Sequence, residues 1–118
     1  MFAKLTTHVL DTANGCPARD LKLELWSVTG ADKKLLKAVR TNADGRIEEP
    51  LLAGPELAVG EYELVFFVGD YFAAKSATPT KTRFLDRVPV RFGVADANAS
   101  YHVPLLCSPW AYSTYRGS

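Results

Sequence analysis

The chain has 118 residues, with 14 Lys and Arg against 13 Asp and Glu for a formal charge of +1. Such a balance offers no general attraction to nucleic acid or anionic lipid, so any cationic function must be local. The length suits a single domain over residues 1–118, which should bury roughly 65% of the surface its unfolded chain exposes.

No apolar run approaches the ~20 residues needed to cross a bilayer. The opening Met1-Phe2-Ala3-Lys4-Leu5-Thr6 lacks the apolar block of a signal peptide. The expected location is therefore cytoplasmic, unless an export or peroxisomal signal has been removed. Cys16 and Cys107 are neither closely spaced nor accompanied by other cysteines. They read as packing thiols rather than as a disulfide framework or a four-thiolate zinc site.

Segments rich in Val, Leu, Thr, Tyr and Phe recur every ten to twenty residues between Gly, Pro, Asn and Asp clusters, the rhythm of an all-β sandwich. The first strand is expected over Lys4 to Leu10, ended by the turn-rich Asp11-Thr12-Ala13-Asn14-Gly15-Cys16-Pro17. Leu21 to Trp26 alternates with its odd positions apolar, as a strand with one buried face does. Lys33 to Thr41 is a more polar strand, nearer an edge. Asn42-Ala43-Asp44-Gly45 then signals a tight turn, placing Arg46 just past a sharp corner.

A short strand is expected over Arg46 to Leu52, limited by Pro50, Gly54 and Pro55. Glu61 to Val68 is the strongest strand of the chain. Asp70 to Ser76 has the only helix-compatible composition and is stopped by Pro79. Strands over Arg87 to Val94 and Ser100 to Cys107 follow, separated by the polar turn at Asp96-Ala97-Asn98-Ala99. Ser108-Pro109 turns the last corner into a final strand, Trp110 to Arg116. The total is about eight strands and one short helix, with no internal repeat.

The two histidines, His8 and His102, both fall inside expected strands. Taken singly, each is most simply a half-buried histidine with local hydrogen bonds. Alternation adds a second reading. Leu5-Thr7-Val9 and Tyr101-Val103-Leu105 make the better core faces, which turns both histidines outward. If the two strands are neighbours in one sheet, the imidazoles meet on one surface and form a general acid and base pair that titrates near neutral pH. A zinc site would need a third protein ligand, and none is spaced for it. Gly-rich phosphate loops and Gly-x-Ser-x-Gly elbows are absent as well. Arg46 and Arg116 are ordinary surface cations by position, though a guanidinium can grip a carbonyl or carboxylate as a planar fork.

Three stretches carry a resemblance. They are Leu5-Thr6-Thr7-His8-Val9-Leu10-Asp11-Thr12 with Gly15 and Pro17, then Thr41-Asn42-Ala43-Asp44-Gly45-Arg46, and last Tyr101 to Leu106 through Ser108-Pro109 to Tyr115-Arg116-Gly117-Ser118. Together they resemble the 5-hydroxyisourate hydrolases, the transthyretin-related enzymes of urate breakdown, nearly end to end. The Tyr-Arg-Gly-Ser close is the most specific mark.

The resemblance implies a transthyretin-like (prealbumin) sandwich of two four-stranded sheets with one short helix. It implies a homotetramer whose sites lie at the dimer-dimer interface. It also implies hydrolytic opening of the six-membered ring of 5-hydroxyisourate to 2-oxo-4-hydroxy-4-carboxy-5-ureidoimidazoline, without metal or organic cofactor. By that likeness His8, Arg46, His102 and Ser118 are the catalytic positions, and His8, Arg46, Tyr115 and Arg116 bind substrate. One imidazole would take a proton from water while the other holds the water or protonates the departing nitrogen.

Alternation puts Tyr115 on the face of Ser113 and Gly117, with Arg116 on the other face beside Tyr112, Thr114 and Ser118. Of the terminal residues Tyr115 is therefore the better supported in geometry. Two other classes remain open: a carrier of small aromatic ligands on the same fold, and a plain sandwich interaction module.

Overall fold

The computed structural model describes residues 3–78 and 81–117. Among them are nine strands: β1 (Lys4–Asp11), β2 (Cys16–Pro17), β3 (Lys22–Thr29), β4 (Asp32–Arg40), β5 (Leu52–Ala53), β6 (Gly60–Phe66), β7 (Val88–Val94), β8 (Tyr101–Cys107) and β9 (Tyr112–Thr114). One α-helix, α1 (Val68–Lys75), joins β6 to the approach to β7, and a single 3-10 turn covers Gly54–Glu56. No described helix is long and apolar enough to cross a membrane.

The strands form two sheets. One runs β4-β3-β6-β7, and the other runs β2-β1-β8-β9 with the short β5 also paired to β1. β1 and β8 run parallel, Thr6 opposite His102 and His8 opposite Pro104. The chain's first and last long strands are thus neighbours at the centre of one sheet.

Period-two alternation decides which side chains enter the core. From β1 and β8 the residues Leu5, Thr7, Val9, Tyr101, Val103 and Leu105 are buried, while His8 and His102 are only half-buried on the opposite face. Leu23 and Leu25 of β3, with Leu21 just before it, close the core from the other side, all fully buried. Each such side chain contributes about 1.5–3 kcal/mol by leaving water. The one core-facing carboxylate at the end of β1, Asp11, accepts hydrogen bonds from the Asn14 backbone and side chain at 2.9 and 2.7 Å and from the Tyr71 hydroxyl at 2.8 Å. These contacts hold it below the usual carboxylate range despite burial.

Three expectations need correction. Arg46 to Leu52 is not a strand: only Leu52 and Ala53 pair with β1, Leu51 adds one N–H bond to Leu5 O at 2.8 Å, and the residues before it bend through Pro50 outside any strand. The helix begins at Val68, two residues before Asp70, because Phe67, whose N–H still bonds to Lys22 O in the register of β3, turns out of the extended region at φ −87° and ψ 63°. The final strand is three residues long rather than seven, for a reason that lies in the site.

Candidate functional site

The parallel pairing of β1 and β8 puts both histidines on one outward face. They sit on adjacent strands two register positions apart, which at ~4.8 Å between strands and ~3.3 Å per residue is about 8 Å between Cα atoms.

Each ring has one nitrogen tied to a protein oxygen. The Nε2–H of His8 donates to the backbone carbonyl of Asp44 at 3.0 Å. A carbonyl can only accept, so the neutral His8 ring carries its proton on Nε2 and leaves Nδ1 free. His102 Nδ1 lies 2.8 Å from Thr6 Oγ1, directly across the strand pair, and its Nε2 is the unengaged nitrogen.

Arg46 arrives on the turn after β4, and that turn is nailed to β1 beside His8. The Asn42 side chain accepts the backbone N–H groups of Asp44 and Arg46 at 2.9 and 3.1 Å, and the Gly45 N–H donates to Asn42 O at 3.0 Å. The Val9 N–H in turn donates to Gly45 O at 2.8 Å. Gly45 must be glycine twice over. Its φ is +74°, and a β-carbon there would collide with the carbonyl of Val9. Arg46 itself is exposed. Burial, followed by the Arg46 charge and then the neighbouring His8, holds His102 below its ordinary value, so His102 is neutral and able to accept a proton at neutral pH.

The carboxyl-terminal motif meets this pair through Gly117. β9 pairs with β8 in the register Leu105 to Thr114, and Gly117 returns to bridge His102 in that same register. Between them the ladder breaks, since position 115 falls opposite Pro104, which has no N–H to donate. The Thr114 hydroxyl takes up the Pro104 carbonyl at 2.7 Å instead. Gly117 N–H then donates to His102 O at 2.7 Å, and its α-carbon lies against the imidazole.

The structure thus brings His8, His102 and Arg46 to one surface. Tyr115 and Arg116 leave strand geometry at the break and border a groove with Phe92, Tyr101 and Val103, on the core side of β8 rather than the imidazole side. The Arg116 guanidinium stacks 4.2 Å over the Tyr101 ring and donates to Ser100 O at 3.4 Å. Tyr115 is 60% exposed. Ser118 lies outside the described residues. Thr6 and Gly117 are the functional neighbours that sequence reading passes over. The signal for both was position alone, Thr6 two residues before His8 on its face and Gly117 sharing a face with Tyr115.

Among the described residues no group of three or more His, Cys, Asp and Glu side chains is arranged to hold a metal ion. What the surface does offer is two imidazoles with one free nitrogen each, a guanidinium beside them and a half-buried setting, the parts that activate water against a carbonyl.

A family model described as HIUase/Transthyretin family matches residues 5–117. The chain is 57% identical to the 5-hydroxyisourate hydrolase of Ralstonia nicotianae over 99% of its own length and 100% of that protein's. Among solved structures it superimposes on Klebsiella pneumoniae 5-hydroxyisourate hydrolase with a TM-score of 0.81, at 31% identity, covering 98% of this chain and 99% of that one. It also superimposes on (S)-allantoin synthase with a TM-score of 0.92 at 48% identity, covering 99% of this chain. It spans only 44% of that longer chain.

Proposed function

We propose that this chain, which belongs to the HIUase/transthyretin family, opens the six-membered ring of 5-hydroxyisourate by hydrolysis. The substrate comes from the near full-length identity to proteins named for that reaction. The observation that carries the chemistry is the pairing of His8 and His102 across parallel strands, with the Arg46 turn pinned beside them.

In this reading water sits between the imidazoles and gives its proton to a free ring nitrogen, His8 Nδ1 or His102 Nε2, as its oxygen adds to the ring carbonyl. The Arg46 guanidinium stabilises the oxyanion, a contribution typically worth ~10²–10³ in rate for one well-placed donor. The tetrahedral intermediate then collapses by breaking the carbon–nitrogen bond, and the protonated imidazole returns its proton to the departing nitrogen. A carboxylic acid, which releases its proton to solvent as the carboxylate, and an N–H result, with no redox change and no other reactant than water.

The imidazoles lie on an open sheet face of the single chain, and Leu10 and Leu106 on the same face are half-buried. We propose that the working form is a homotetramer in which that face meets another copy, which excludes bulk water from the site and is the role in which Tyr115, Arg116 and Ser118 would join it.

Mixing the protein with freshly oxidised urate and following loss of the hydroxyisourate absorbance tests the reaction. Acceleration well above the spontaneous decay is expected. Binding without acceleration would move the protein to the carrier class. Light scattering on the eluted protein reads the assembly, and an active monomer would remove the tetramer from the proposal.

A further inference from the structure

A base is useful only if the nitrogen facing the substrate is the one without the proton. For His8 the Asp44 carbonyl enforces this, since it accepts from Nε2–H and can do nothing else. His102 has no carbonyl partner on its ring. Its Nδ1 meets a hydroxyl, Thr6 Oγ1, at 2.8 Å, and that hydroxyl has no other hydrogen-bond partner among the described residues. The hydroxyl is held squarely in place, because Thr6 is the residue directly opposite His102 in the parallel ladder and its β-branched side chain has little rotamer freedom.

On its other flank His102 is closed by Gly117, whose backbone bonds to the His102 carbonyl and whose α-carbon abuts the ring. The imidazole is therefore gripped between strand β1 and the chain end, with Nε2 the nitrogen left for chemistry.

We propose that Thr6 is a positioning residue for the hydrolysis, its hydroxyl accepting the Nδ1–H of His102 so that Nε2 is the unprotonated nitrogen presented to water. This rests on the proposed hydrolytic function. A hydroxyl suits the task better than a carboxylate would: it accepts Nδ1–H in the neutral ring and in the imidazolium alike, yet adds no negative charge to oppose Arg46 and raise the basicity of the ring. When His102 takes a proton on Nε2 the Thr6 bond is unchanged, and the ring does not turn during the cycle.

Two variants separate positioning from packing. Thr6→Val keeps shape and β propensity but removes the oxygen, and Thr6→Ser keeps the oxygen on a slimmer side chain. ¹⁵N spectra of the His102 ring in the full-length protein, recorded without substrate, read the tautomer directly.

The wild type is expected to show the proton on Nδ1, and Thr6→Val a shift of population toward Nε2–H. In assays Thr6→Val should lower kcat about 10–100-fold with KM within about twofold, and Thr6→Ser should recover most of the loss. Wild-type spectra with the proton on Nε2 would overturn the assignment. So would a Thr6→Val enzyme with unchanged kcat, or a Thr6→Ser enzyme as impaired as Thr6→Val. Should the wild type fail to hydrolyse hydroxyisourate at all, the function falls, while the ring spectra still decide what Thr6 does to His102.

Discussion

Gly117 lies against the imidazole of His102 so closely that a β-carbon at position 117 would stand 2.5 Å from His102 Cδ2. That distance is far inside van der Waals contact, and the atom in the way belongs to a proposed catalytic ring. Gly117→Ala should therefore displace either the chain end or the imidazole. Because the contact is at the rim of the sheet, thermal stability should change little while kcat falls about 10–100-fold. Thermal unfolding beside a turnover assay separates the two, and unchanged turnover would show that the ring position does not matter.

Charge around His102 sets the acid side of the pH profile. Burial, Arg46 and His8 all favour the neutral ring and lower its pKa from 6.5. The neutral ring is the form that accepts a proton, so with His102 as the base kcat/KM should rise with pH through that lowered value. Arg46→Gln removes one of the causes and should move the titration of His102 upward, which an NMR titration follows even in an inactive variant. A His102 that titrates at the same pH with and without Arg46 contradicts this electrostatic picture.

The turn carrying Arg46 admits no side chain at position 45. Gly45→Ala forces an L residue to φ +74° and drives a methyl into the Val9 carbonyl. We expect a loss of about 1–3 kcal/mol for the backbone strain, together with a large drop in turnover, because Asp44 O and the Arg46 guanidinium move with the same turn. Denaturant unfolding and the absorbance assay on one preparation check both. An active, fully stable Gly45→Ala protein would mean that the turn is not fixed to β1 as described.

Asp11 governs acid stability rather than activity. Its folded pKa is depressed below 3.8, so its contribution is fully present above that pH and is lost as the pH falls through the lower folded value. Tyr71→Phe removes the 2.8 Å bond from α1 to this buried carboxylate. It should cost about 1.5–3 kcal/mol, which for a domain of this size is a fall in Tm of roughly 6–12 °C. Hydrolysis per folded molecule should remain at the wild-type rate, since neither residue reaches the outer face.

The alternation of β1 and β8 was plain in the sequence, because Leu5, Val9, Val103 and Leu105 leave little choice of core face. That outward histidines become a pair was not, since it depends on β1 and β8 being neighbours, and strand order is decided by contacts across nearly the whole chain. Arg46 was correctly set at a corner by Asp44-Gly45. The strand expected after it failed because apolar Ile47, Leu51 and Leu52 imitate strand composition around Pro50. The tail illustrates the opposite case. Proline at 104 breaks the ladder opposite residue 115 and throws Tyr115 and Arg116 out of alternation, a consequence visible only once the register with β9 is known. Strict alternation thus ranked the aromatic residue of the motif first, whereas within this chain it is the glycine that touches an imidazole.

The parallel seam between β1 and β8 also imposes an order in time. Its two sides, Thr6 and His102, are 96 residues apart. At about 5–20 residues per second of synthesis, the first strand waits roughly 5–20 s for its partner. Throughout that interval Leu5 and Val9 lack the neighbours that cover them and His8 has no companion ring. A product that stops before residue 102 can therefore carry His8 and Arg46 but never the two imidazoles together, and hydrolytic competence has to await the synthesis of β8.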